Sequence, residues 1–133
     1  MSNHAVLVVD SKCELGEGPL WCPEKGRLYW VDILKSELWF YEPVSGKVES
    51  KGLSYLVSAV GRAADGALLL MGKEGCFRFD WDGNTFIKLC SFADEPKTNR
   101  SNDGKCAPDG RFWIGTMNME GEGFNGSLYC LDR

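Results

Sequence analysis

Three short strings carry side chains able to do chemistry. In Leu15-Gly16-Glu17-Gly18-Pro19-Leu20-Trp21 a single carboxylate sits between two glycines and a proline. In a turn, Glu17 is a solvated acid; projecting into a channel, it is the kind of oxygen donor that a hard divalent cation prefers. Asn99-Arg100-Ser101-Asn102-Asp103-Gly104-Lys105 is dense in hydrogen-bonding groups. Its Asn-Asp-Gly is an ordinary turn sequence, while its Arg and Asn donors equally suit the hydroxyl and carbonyl oxygens of a sugar-like ligand. Gly115-Thr116-Met117-Asn118-Met119-Glu120 ends a strand on small residues and then offers an acid.

Other chemistries lack their parts. The one histidine, His4, stands close to the start of the sequence, so Ser/His or Cys/His nucleophilic catalysis has no base within the chain. None of the six cysteines forms a CxxC pair, and neither a Cys/His metal cluster nor a GxxxxGKS loop occurs. Acid, amide and guanidinium groups remain. The 15 basic and 19 acidic residues give a net charge of −4, with no Lys or Arg run to follow a phosphate backbone, which argues against nucleic acid as a partner. No apolar run approaches the 18 or so residues of a membrane span, and Met1-Ser2-Asn3-His4 lacks the features of a signal peptide. The expectation is a cytoplasmic protein without membrane contact, whose cysteines are reduced thiols acting as small apolar residues in strands.

The elements that must position these strings repeat. Pro23-Glu24-Lys25-Gly26-Arg27-Leu28-Tyr29-Trp30-Val31-Asp32 has the form of Ala63-Ala64-Asp65-Gly66-Ala67-Leu68-Leu69-Leu70-Met71-Gly72 and of Ala107-Pro108-Asp109-Gly110-Arg111-Phe112-Trp113-Ile114-Gly115-Thr116. In each, a turn glycine expected at positive φ feeds a strand of aromatic and branched residues. These glycines lie 40 and 44 residues apart. Further strands are expected at Leu38-Tyr41, Cys76-Asp80 and Ser127-Asp132, with outer strands near Lys47-Ser50 and Phe86-Cys90. About four strands per repeat of 40–45 residues predict an all-β chain, a β-propeller with about three four-stranded blades over residues 1–133. An immunoglobulin-like sandwich is the structural alternative. The polar insertion at residues 118–125 falls in the third unit, where a long loop tends to carry function.

Taken in this order, the strings at 15–21, 99–105, 115–117 and Gly126-Ser127-Leu128-Tyr129 resemble the SMP-30/gluconolactonase family, also called the regucalcin family. The resemblance implies a six-bladed propeller that hydrolyses sugar lactones such as aldonolactones with one divalent metal ion (Ca, Zn, Mn or Mg). It implies Glu17 as a metal ligand, Arg100 and Asn102 as binders of substrate hydroxyls, and Glu120 as a substrate contact on its loop. Asp103 and Gly104 would shape a turn. Members run to about twice this length, and the remaining metal ligands, an Asn and an Asp, and the general base are expected beyond Arg133. Half a propeller alone is therefore expected to have little or no activity. The alternative is a non-catalytic calcium-binding or interaction module that pairs with another half-propeller, for instance as an edge-to-edge homodimer.

Overall fold

The computed structural model describes residues 3–132. Among the described residues eleven antiparallel strands form three sheets. The first holds β1 (Gly16–Cys22), β2 (Arg27–Asp32), β3 (Glu37–Glu42) and β4 (Lys47–Gly52), and the second β5 (Val57–Arg62), β6 (Leu68–Gly72), β7 (Gly75–Asp80) and β8 (Thr85–Ser91). The third holds β9 (Asn99–Cys106), β10 (Phe112–Asn118) and β11 (Leu128–Leu131). Each sheet is a simple meander, the first two in order β1-β2-β3-β4 and β5-β6-β7-β8. These are the four-stranded blades of a propeller, the third showing three strands among the described residues. Among those residues no helix is long and apolar enough to cross a membrane.

The repeating turns are built as their glycines require. Gly26, Gly66 and Gly110 have φ of 61°, 83° and 87°, a region that costs other residues strain and glycine little. In the second and third units an aspartate steadies the turn, Asp65 accepting from Ala67 N and Asp109 from Arg111 N, both at 3.1 Å. The strands that follow alternate. Tyr29, Val31, Leu38 and Phe40 of the first sheet share a buried cluster with Leu68, Leu70, Phe77 and Phe79 of the second. Phe112 and Ile114 of the third sheet share another with Ala59, Met71 and Cys76 of the second. Period-two patterning thus gives each blade one face for the blade before it and one for the blade after. All six cysteines stand free, and burial pushes the Cys76 thiol up to about 12, so it stays protonated and inert.

Two expectations about local structure need correction. The strings at 15–21 and 99–105 are not turns: they are strands β1 and β9. Gly104 is there for space, because a Cβ on it would lie 2.6 Å from Ile114 Cδ1 and 2.7 Å from Phe112 Cε1. The strand of the third motif also runs further than expected, to Asn118, before the chain loops through residues 119–127 to β11.

Candidate functional site

The first strand of each blade, β1, β5 and β9, packs beside the next. Each of these pairings carries one extra residue at a similar height. Glu17 pairs with Val31 and Leu20 with Tyr29, so Gly18 and Pro19 stand opposite Trp30 alone. Val57 pairs with Gly72 and Ala59 with Met71, leaving Ser58 without an opposite residue. Ser101 pairs with Thr116 and Gly104 with Ile114, so Asn102 and Asp103 face Gly115 alone. A bulge bends its strand and re-aims the side chains beside it. Glu17, Ser58 and Asn102 all lie at these bulges. The bulge at Gly18 depends on its glycine, whose φ is +63° and whose Cβ position lies 3.8 Å from Ala59 Cα.

Ser58 and Ser101 lock the second and third blades together. Their hydroxyls meet at 2.6 Å, fully buried. Ser101 Oγ also lies 2.9 Å from Gly72 O. Directly beside this clamp, Arg100 is only 7% exposed. Its Nη1 donates to Ser101 O at 2.8 Å and to Asn102 Oδ1 at 3.1 Å. Burial lowers the pKa of Arg100, and the negative charge of Glu17 acts against that fall. A guanidinium stays charged regardless, so Arg100 is a fixed cation held in the field of Glu17. No ion pair within 4 Å joins the two among the described residues, since the pairs found there involve other groups.

Glu17 and Asn102 are exposed, and Glu17 lines a cleft of about 470 Å³ between the first strands of the three blades. Asp103 and Gly104 line the same cleft. Asp103 thus lies in strand β9 at the border of the cleft, rather than in a turn. Glu120 does not join this cleft. It is exposed, in the turn after β10, its N–H donating to Asn118 Oδ1 at 2.8 Å. Strand pairing sets Asn118 opposite Asn99 and Met117 opposite Arg100, so Glu120 belongs to the same end of the sheet as Arg100.

Two carboxylates absent from the sequence-based candidates hold this end of the molecule in shape. Glu95 accepts hydrogen bonds from Asn99 Nδ2 at 2.7 Å, Tyr129 OH at 2.6 Å and the Thr116 hydroxyl. It thus ties the entry to β9 to both other strands of its sheet, while Asn99 Nδ2 also reaches Asn125 O in the loop after β10 at 2.9 Å. Asp32, fully buried, accepts from Glu14 N, Leu15 N and Lys35 N and fixes the approach to β1. Burial works to raise its pKa, and the three backbone donors prevail and lower it. No spacing marks either residue, because most of their partners lie 17 to 34 positions away.

A metal centre needs more donors than these. Among the described residues no group of three or more His, Cys, Asp and Glu side chains could hold an ion. Glu17 and Asp103 fall short of the six or more oxygens that Mg²⁺ or Ca²⁺ takes. The residues present do not by themselves form the implied site.

Comparison with known proteins agrees with this architecture. Residues 15–133 match the model of the SMP-30/Gluconolactonase/LRE-like region. A Bacillus subtilis protein, YvrE, provisionally named a sugar lactone lactonase, is 40% identical over 96% of this chain and 44% of its own length. Pentonolactonase XacC of Haloferax volcanii is 37% identical over 94% of this chain and 41% of its own. A crystal structure of regucalcin from Agrobacterium tumefaciens, described as a calcium-binding protein, superposes with a TM-score of 0.87 at 31% identity, covering 93% of this chain and 42% of that one. The chain thus spans less than half the length of these relatives, and in them it corresponds to three blades of a six-bladed propeller. By sequence and by fold, it belongs to the SMP-30/gluconolactonase/LRE-like family.

Proposed function

We propose that this chain is the lactone-recognising part of a sugar lactone hydrolase. The observation that carries the reading is the buried Arg100, clamped through Nη1 by Ser101 O and Asn102 Oδ1 and set in the field of Glu17. The names of relatives as pentonolactonase and 6-deoxy-6-sulfogluconolactonase support it.

In lactone hydrolysis a water oxygen bonds to the carbonyl carbon and the ring C–O bond breaks. The former ring oxygen takes up a proton, leaving a hydroxy acid. Negative charge develops on the carbonyl oxygen as the water adds. A cation already in place and partly shielded from solvent stabilises that charge without reorganising. Arg100 meets those conditions, with its Nε and Nη2 remaining as donors. The Asn102 amide, its oxygen committed to Arg100, keeps its N–H groups for a ring hydroxyl. Holding the ring by several such contacts makes attack on it effectively intramolecular. Glu120, on the loop at the same end, is a further contact for substrate hydroxyls.

Glu17 is the residue that would give a carboxylate oxygen to a divalent cation, which when bound would polarise a carbonyl or acidify a water. The chain does not complete the shell for that ion, so its own part is recognition, and little turnover is expected from it alone. Titrating the purified chain with an aldonolactone while following acid release tests this. Saturable binding with slow release is the expected result, and an absence of saturable binding would remove the basis of the proposal.

A further inference from the structure

The loop between β10 and β11 is shaped by a carboxylate that lies outside it. Glu95 stands in the segment that leads from β8 to β9, and three side-chain donors converge on it. Tyr129 OH donates to its Oε2 at 2.6 Å, Asn99 Nδ2 to its Oε1 at 2.7 Å, and the Thr116 hydroxyl to Oε1 as well. An ionised carboxylate only accepts hydrogen bonds, so each partner must turn a proton toward it. That commitment decides what the partners offer elsewhere.

Thr116 has a single hydroxyl proton. With that proton on Glu95, its oxygen is left to accept, and Ser127 N donates to it at 2.7 Å. Thr116 N in turn donates to Ser127 O at 2.9 Å. Asn99 has its amide nitrogen drawn to Glu95, and the same nitrogen reaches Asn125 O at 2.9 Å. The chain after β10 is thus gripped at Asn125 and at Ser127 by two residues that Glu95 orients. Its earlier end is tied to the entry of β9 as well, for Met119 N donates to Thr98 O at 2.9 Å. Between these ties lies Glu120, its N–H held by Asn118 Oδ1 at 2.8 Å. Gly121 and Gly123 follow at φ of 71° and 92°, where glycine turns the chain at little steric cost.

We propose that Glu95 is a positioning residue for ligand recognition: it orders residues 119–127 and thereby holds Glu120 at the Arg100 end of the third sheet. Glu95 itself touches no substrate. Its hydrogen bonds are spent on Asn99, Thr116 and Tyr129, one from each strand of that sheet. A carboxylate already held in place loses less freedom on accepting from a ring hydroxyl than one on a loose loop, and preorganisation of this kind raises affinity. The part given to Glu120 rests on the lactone reading above, whereas the ordering of its loop does not.

Amide hydrogen exchange on the full chain at neutral pH tests the ordering with no ligand present. In Glu95→Ala the amides of residues 119–127 are expected to exchange about tenfold faster or more, with those of β2 and β6 unchanged. Glu95→Gln keeps one acceptor oxygen but brings an amide N–H against the remaining donors, so it should fall between Glu95→Ala and wild type. Loop exchange that stays at the wild-type rate in Glu95→Ala overturns the proposal. So does acceleration spread evenly over all three sheets, which would make Glu95 a residue of general stability. Calorimetric titration with a non-hydrolysable sugar lactam then tests the consequence for recognition, comparing Glu95→Ala, Glu120→Ala and the double variant. If Glu95 acts through Glu120, the double variant binds no more weakly than the weaker single one, and losses that multiply overturn that role. A wild type with no affinity for the lactam counts against the lactone reading alone, because the exchange rates then decide the role of Glu95.

Discussion

The seam between the first and second blades and the seam between the second and third are made of different materials. The first is aromatic and greasy: Trp81 packs edge-on to Phe40 at 4.9 Å and lies 6.2 Å from Tyr29 and 6.3 Å from Phe79. Ion pairs line its rim, Lys25 to Asp82 at 3.0 Å and Arg62 to Glu24 at 3.3 Å. The second seam has a smaller apolar cluster and, at its centre, the buried hydroxyl pair of Ser58 and Ser101. Apolar burial is strong but non-directional. Hydrogen bonds are weaker and fix position. The candidate site grows out of the second seam, since Arg100 and Asn102 flank Ser101. One seam supplies cohesion, and the other fixes the register of the strand that carries Arg100 and Asn102.

The aromatic seam should show the largest effect. Phe40→Ala should cost about 3–5 kcal/mol, as truncation of a fully buried aromatic does, read by urea denaturation. Next, Gly61→Ala would place a Cβ 2.5 Å from Phe112 Cε2. Overpacking the tight second seam in this way should cost about 1–3 kcal/mol. A neutral outcome would mean that this seam is looser than its geometry says. Third, Ser58→Ala and Ser101→Ala should each cost about 1 kcal/mol, and because the hydroxyls share one contact the double variant should fall short of their sum.

The fold was legible in the sequence because its determinants are local. Turn glycines at 26, 66 and 110 and alternating apolar residues need only neighbours a few positions away to be recognised. Glu17, Arg100 and Asn102 stood out in the sequence as candidates, but not their setting: the bulges at Glu17 and Asn102 exist only in the pairing of one strand with another. Ser58 looked like any serine in a strand, and its partner lies 43 residues on. Glu95 stood in a polar loop with no sign that three side chains would converge on it. Glu120 was identifiable as an acid after a strand, yet its loop follows hydrogen bonds to Asn99 and Thr98 that no spacing encodes.

The smallest expected effect concerns Glu95 and appears in acid. Burial works to raise its pKa, and hydrogen bonds from Thr116, Tyr129 and Asn99 outweigh burial and hold it below the usual carboxylate value. A pKa depressed by folding adds stability that is fully present above the unfolded value of about 4.3 and is lost as pH falls through the folded value. The stability gap between wild type and Glu95→Gln should therefore narrow below about pH 4.3, as thermal melts across the acid range would record. A gap that widens in acid would reverse the sign of this assignment.

In the proposed function the second seam holds Arg100 as a fixed cation for a lactone oxygen. Calorimetric titration of wild type and Arg100→Gln with a non-hydrolysable sugar lactam, alongside their melting temperatures, tests it most directly. Binding weakened by about tenfold or more is expected, the worth of a charged hydrogen bond at about 1.5–3 kcal/mol, with Ser58→Ala giving a smaller loss in the same direction. Equal affinity of wild type and Arg100→Gln for the lactam would contradict it.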